Sequence, residues 1–148
     1  LTDTRAMANR RQSGITLVEL LVAMGIVAIL AAIAYPSYQR YVARTHRNAA
    51  TACMSQYAQV MERHYTTGLT YVGAPIPANG LPCSRENNLN QRYTIALRAG
   101  SVTVRAYTLD ATPRDTQAAI DAQCGTLTLD QTGARSVTGT SGRDQCWR

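Results

Sequence analysis

The chain has 148 residues, 45% of them hydrophobic, with no Phe and with Arg as every one of its 15 basic side chains. That length supplies one domain with a modest core and excludes two once an apolar run near the N-terminus is set aside. Removing residues 1–14 takes away Arg5, Arg10, Arg11 and Asp3, so the formal charge falls from +6 to +4. A mildly basic body of this kind does not discriminate among nucleic acid, anionic lipid and an acidic protein as partners.

The basic flank Arg10-Arg11-Gln12-Ser13-Gly14 leads into an apolar run from Ile15 to Tyr35. Those 21 residues extend about 31 Å as a helix at ~1.5 Å per residue, which matches a hydrocarbon core of ~30 Å. On the far side, Tyr35, Tyr38 and Tyr41 surround Pro36 as an interfacial aromatic belt. No small-residue cleavage site follows, so the run reads as a retained membrane segment and not as a removed secretory signal. Glu19 is an anomaly within it, because a carboxylate in the apolar phase costs ~2.5–3.5 kcal/mol on insertion scales unless a partner satisfies it. Arg10 and Arg11 are balanced across the run by Arg40, Arg44 and Arg47, so charge does not orient it. The cysteines do. Cys53, Cys83, Cys124 and Cys146 all follow the run, with neither C-x-x-C nor zinc-like spacing, and read as two disulfides in an oxidising compartment outside the cytoplasm.

The segment "SGITLVELLVAMGIVAILAAIAYPSY" resembles the N-terminus of type IV pilins. The resemblance implies cleavage after Gly14 by a prepilin peptidase, methylation of the new Ile15 amine, an assembly role for Glu19 and a helix kink at Pro36. Ile15 stands where Phe is usual, but the methylated group is the backbone amine and the side chain need only be apolar. The implied layout is a leader over 1–14, a transmembrane and filament-core helix over 15–36, and a head over 37–148 that includes the rest of the helix. "MANRRQSG", from Met7, reads as a complete leader by itself, giving 7–14 as the alternative. Glu19 lies in the first turn, where the helix dipole favours a negative charge. Cleavage also creates an ammonium that an incoming subunit can offer to Glu19 of its neighbour, turning the carboxylate's cost into a rule for axial register.

From Ala49 the positions Ala49, Ala50, Cys53, Tyr57, Val60, Met61 and His64 recur at threes and fours, one face of a continuing helix. The helix is expected over about 15–66, with Gly68 as its C-cap. A Pro- and Asn-rich loop follows from Leu69 to about Gln91. Alternation in Tyr93–Leu97 and Val102–Leu109 predicts a hairpin, Gly125–Leu129 a third strand and Ala134–Val137 a short fourth. Four cysteines allow three pairings. Local tethering favours Cys53 with Cys83, pinning the loop to the helix, and Cys124 with Cys146, tying the polar tail to the sheet. The segment Cys124–Gly133 followed by Cys146-Trp147 resembles the C-terminal pattern of minor pilins of the type IV pilus in Pseudomonas-like bacteria. The fold class is therefore α+β: the type IV pilin fold, a long N-terminal helix on a four-stranded antiparallel sheet with a disulfide-tied C-terminal region.

Nothing in the sequence reads as an enzyme. His46 and His64 lie eighteen residues apart with no ligand cluster beside them, no phosphate loop is present, and no cofactor or metal is expected. His64 reads as a packing residue between helix and sheet. The resemblance implies a minor pilin that serves pilus assembly or priming, and through it twitching motility, adhesion or DNA uptake. The alternatives are a major pilin, a type II secretion pseudopilin and a DNA-receptor pilin. Implied partners are other major and minor pilins, the prepilin peptidase and the inner-membrane assembly platform, with the chain anchored in the inner membrane, head in the periplasm, before it enters the pilus. Nucleic acid is not the favoured partner. Arg40, Arg44 and Arg47 share one helical stripe, but in a filament that stretch is expected to pack among neighbouring subunits; DNA would instead point to Arg92, Arg98, Arg105 or Arg135.

Overall fold

The computed structural model describes residues 14–147. They fall into two units, one ending at Pro36 and one beginning at Ser37. Helix α1 (Leu17–Gly68) begins two residues later than expected. The local reason is Thr16, whose Oγ1 accepts the Glu19 N–H at 3.2 Å while its carbonyl accepts the Leu20 N–H at 3.1 Å, the two roles of an N-cap. At the other end Gly68 is still helical, and the left-handed residue is Leu69, at φ 53°. The Leu69 N–H closes the final turn onto the Tyr65 carbonyl at 2.8 Å, and its side chain pays no packing penalty because it is exposed.

In the second unit, α1 buries Ala43, Arg47, Ala50, Met54, Tyr57 and Met61, successively four and three residues apart, with Cys53 beside them. This stripe packs on one face of a sheet built from β1 (Tyr93–Leu97), β2 (Thr108–Pro113), β3 (Leu127–Asp130) and β4 (Arg135–Val137). The order is β1-β2-β3-β4, every pair antiparallel. Ile95 faces Ala111, Leu109 faces Leu129 and Leu127 faces Val137, so the period-2 alternation puts the apolar set on the helix side. Thr94, Asp110, Thr112 and Thr128 fall on the other face.

The second strand lies further along the chain than Val102–Leu109. Residues 98–107 form the connection, closed by Thr103 N–H to the Ala106 carbonyl at 2.8 Å and Ala106 N–H to Thr103 Oγ1 at 3.0 Å. Val102 and Val104 alternate as a strand would, but the register that buries Leu109 and Ala111 opposite Leu97 and Ile95 wins. Tyr107 joins a separate cluster with Met61 and Tyr71. Three short helices lie in stretches the sequence left without one: α2 (Leu89–Arg92), α3 (Asp115–Ile120) and α4 (Arg143–Cys146).

Cys53 is bonded to Cys83 and Cys124 to Cys146. The loops so closed span 30 and 22 residues, each worth roughly 3–4 kcal/mol of chain entropy. Gly139 permits the second closure: a β-carbon there would lie 2.2 Å from the Gln123 carbonyl oxygen. Trp147 then donates its indole N–H to the Ser136 carbonyl at 3.1 Å, fixing the tail against β4.

Candidate assembly segment and head surface

Glu19 occupies the first turn of α1, with Gly14 and Ile15 just before the cap and Pro36 inside the helix. The apolar side chains from Ile15 to Tyr38 are all exposed, Ile15 at 74% and Ile33 at 71%. This stretch is long and apolar enough to cross a membrane. Among the described residues no cation pairs with the Glu19 carboxylate, and residues 1–13, where the expected leader falls, lie outside them.

Further along α1 the expected stripe of three arginines is broken. Arg40 and Arg44 are exposed, but Arg47 is buried and its guanidinium donates to Asp121. The same carboxylate accepts the Tyr93 hydroxyl at 3.0 Å, and Gln117 donates to the Ala43 carbonyl at 2.9 Å and to the Tyr93 oxygen at 3.1 Å. Burial, and after it the Asp121 charge, pushes the Tyr93 phenol well above its ordinary range. Asp121 and Gln117 belong to α3 and its C-terminal end, so this network ties α3 to α1. Neither residue was singled out from sequence. A signal existed: Arg47 falls four residues after Ala43 and three before Ala50, inside the buried periodicity, and a guanidinium placed there needs a buried acid.

His64 is half-buried and its Nε2 lies 3.1 Å from the Val72 carbonyl, holding the chain where it folds back beyond the helix end. Close by, Tyr71 stacks on Tyr65 at 4.6 Å and meets Tyr107 edge-on at 4.9 Å. Tyr71 donates to Glu62 at 3.0 Å, and its pKa is pushed up to about 12 by burial and then by that bond. His46 is held below its ordinary value by burial and, second, by the Arg92 charge. Among the described residues no group of His, Cys, Asp and Glu is arranged to hold a metal ion.

The arginines picked out for nucleic acid lie in different settings. Arg98 makes a two-pronged pair with Asp110, both contacts at 2.8 Å, on the outer sheet face. Arg135 lies over the Trp147 ring at 5.2 Å. Arg92 is half-buried, and Arg105 is exposed in the β1–β2 connection. Arg63, Arg85 and Arg105 are exposed and carry no ion pair among the described residues.

The family model described as type IV minor pilin ComP, DNA uptake sequence receptor, matches residues 36–128. That of the prokaryotic N-terminal methylation motif matches residues 9–35. Among curated proteins, a fimbrial protein of Pseudomonas aeruginosa is 38% identical over 68 residues, 46% of this chain and 44% of that protein. A fimbrial protein of Neisseria meningitidis serogroup B is 31% identical over 97 residues, 66% of this chain and 56% of its own length. The type IV major pilin protein PilE1 of Neisseria gonorrhoeae is 39% identical over 57 residues, 38% of this chain and 34% of that one. The match to the Pseudomonas protein thus spans less than half of that relative's length.

Proposed function

The chain belongs to the type IV pilin family, and we propose that it is a minor pilin whose head engages DNA during uptake. The observation that carries this reading is the match of residues 36–128, from the second half of α1 to β3, to a family described by a DNA-receptor function. The sequence reading set nucleic acid behind other partners because the stripe at Arg40, Arg44 and Arg47 is expected to pack among subunits, and it named Arg92, Arg98, Arg105 and Arg135 as the alternative contacts; of these Arg105 is exposed, and Arg63 and Arg85 join it as exposed arginines of the head available to phosphates. Before assembly the apolar half of α1 anchors the chain in the inner membrane with the head in the periplasm. The peptidase cuts after Gly14 and the Ile15 amine is methylated. The assembly platform then passes the subunit into the filament, where its ammonium meets Glu19 of a neighbouring pilin.

Full-length protein in detergent, mixed with duplex DNA, tests the DNA half of this reading. Binding is expected at micromolar concentration and to weaken steeply with salt. Arg85→Glu and Arg105→Glu should each weaken it and flatten the salt slope by about one where the residue meets a phosphate. No retardation even at low salt would remove DNA from the function. A major pilin is the second reading, favoured by the similarity to a major pilin protein, and the share of this chain in sheared pili separates the two.

A further inference from the structure

Beside the Arg47–Asp121 pair the head opens a polar cavity of about 290 Å³, lined by Arg44, Arg47, Gln123, Cys124, Ser141 and Gln145. A second pocket of about 80 Å³ shares Arg44, Arg47 and Gln123 and adds Arg40 and Asp121. Three guanidiniums therefore border this space against one carboxylate. That carboxylate is already engaged: Asp121 accepts from Arg47, from Tyr93 at 3.0 Å and from Gln117 at 3.4 Å. Arg47 itself is left incomplete, because its buried Nε has no hydrogen-bond partner while its side chain is only 7% exposed. A guanidinium is a planar fork of donors that never loses its charge, and a buried donor left unmet is costly. The space is thus bordered by three guanidiniums and one carboxylate, an excess of positive charge.

We propose that this cavity receives an Asp or Glu carboxylate from a neighbouring pilin subunit, a contact that rests on the pilin reading given above. A carboxylate matches the Arg fork with two parallel N–H···O bonds, and the Ser141 hydroxyl and the Gln123 and Gln145 amides supply neutral donors around it. Recession decides between this ligand and a nucleic-acid phosphate. The phosphates of a duplex lie along a broad convex backbone, which cannot follow a nearly buried guanidinium inward, whereas a carboxylate on a slender side-chain stem can.

Two substitutions in the full-length chain, expressed in a piliated strain lacking the native copy, test the proposal. Arg44→Glu reverses an exposed cation at the cavity wall, and Ser141→Asp places a carboxylate in the cavity from within the chain. The readouts are the ratio of the protein in sheared filaments to that in the inner membrane, and the melting temperature of the detergent-solubilised protein. Arg44→Glu should lower the ratio about tenfold with the melting temperature unchanged, and an acid-to-Arg change in a neighbouring pilin should restore it. Ser141→Asp should lower the ratio while raising the melting temperature, because the new carboxylate offsets the positive charge around the cavity from within the chain. Wild-type ratios for both variants would overturn the proposal and leave the pilin reading standing. Arg44→Glu at a normal ratio but with lost DNA binding would make the cavity a phosphate site, which also overturns it. Absence of the wild-type chain from sheared filaments would instead sink the pilin reading, and this proposal with it.

Discussion

The two halves of α1 share one backbone geometry and differ in what covers them. From Ala43 to Met61 the helix turns a stripe inward that the rest of the head seals, with Ala50, Met54 and Met61 at 0% exposure. From Ile15 to Tyr38 every large apolar side chain is bare. Each such side chain gains ~1.5–3 kcal/mol when it leaves water, so the first half needs a bilayer or other helices as its solvent. The apolar stripe of the second half is covered by its own chain. The bare apolar surface and the sealed core of the head thus belong to different stretches of one helix, and each can be disturbed separately.

The sharpest way to break the comparison acts on the first half alone. Gly14→Val should block processing completely and leave an uncleaved precursor in the inner membrane, since the resemblance makes Gly14 the residue after which the peptidase cuts. Intact-mass measurement of the native protein reads this directly: a chain starting at Ile15 and one methyl group heavier is expected. A retained leader in a strain with active peptidase would end the account of the first half.

Next in size is Glu19→Val. Removing the carboxylate makes the segment more apolar, so cleavage and membrane insertion should persist while the share entering filaments drops several-fold. The melting temperature of the head should not move. Assembly at the wild-type level would show that Glu19 sets no register, and the charge-pairing account would be wrong.

The second half is broken by Asp121→Asn. Arg47 and Asp121 are 7% and 3% exposed, and stripping one partner from a buried pair costs roughly 3–5 kcal/mol. A head of this size should melt about 10–20 °C lower, yet the precursor should still be cleaved. If the melting temperature fell by only a degree or two, the network would be ornamental and the α1–α3 contact would rest on apolar packing.

How much of this was legible follows the same division. The anchor was readable because a bilayer asks only for length and apolarity, and Ile15–Tyr35 has both. The meander was readable because β1 and β3 carry period-2 alternation between turn residues. Val102-Thr-Val104 misled because alternation reports a strand's compatibility and not its partner. Only the pairing of Leu109 with Leu97 and Ala111 with Ile95 fixes where β2 begins. Arg47 was misread for a related reason. Spacing put it on a stripe with Arg40 and Arg44, whereas its fate depended on Asp121, 74 residues away. Gly68 was a sound cap candidate, but the last hydrogen bond closes at Leu69. Of the long-range pairings, the two disulfides Cys53–Cys83 and Cys124–Cys146 were read from the sequence, whereas the Arg47–Asp121 pair and the start of β2 were not.

The smallest effect expected is a pH dependence confined to the head. His46 is half-buried on α1, and burial followed by the Arg92 charge lowers its pKa from 6.5. The folded head therefore binds the imidazole proton more weakly than the unfolded chain does. Unfolding takes up a proton below pH 6.5, so this contribution to stability is fully present above that value and is lost as pH falls through the lower folded pKa. Asp130 is depressed as well, chiefly by the Thr132 hydroxyl, but from 3.8, so its contribution fades in a more acidic window. Below pH 6.5, as His46 takes up its proton, the melting temperature should decline gently as acid is added, and His46→Gln should flatten that decline without abolishing folding at neutral pH. Glu19→Val should leave the slope untouched, because that carboxylate belongs to the half of α1 whose surroundings come from outside the chain. An unchanged slope in His46→Gln would show that His46 does not set the acid sensitivity of the head.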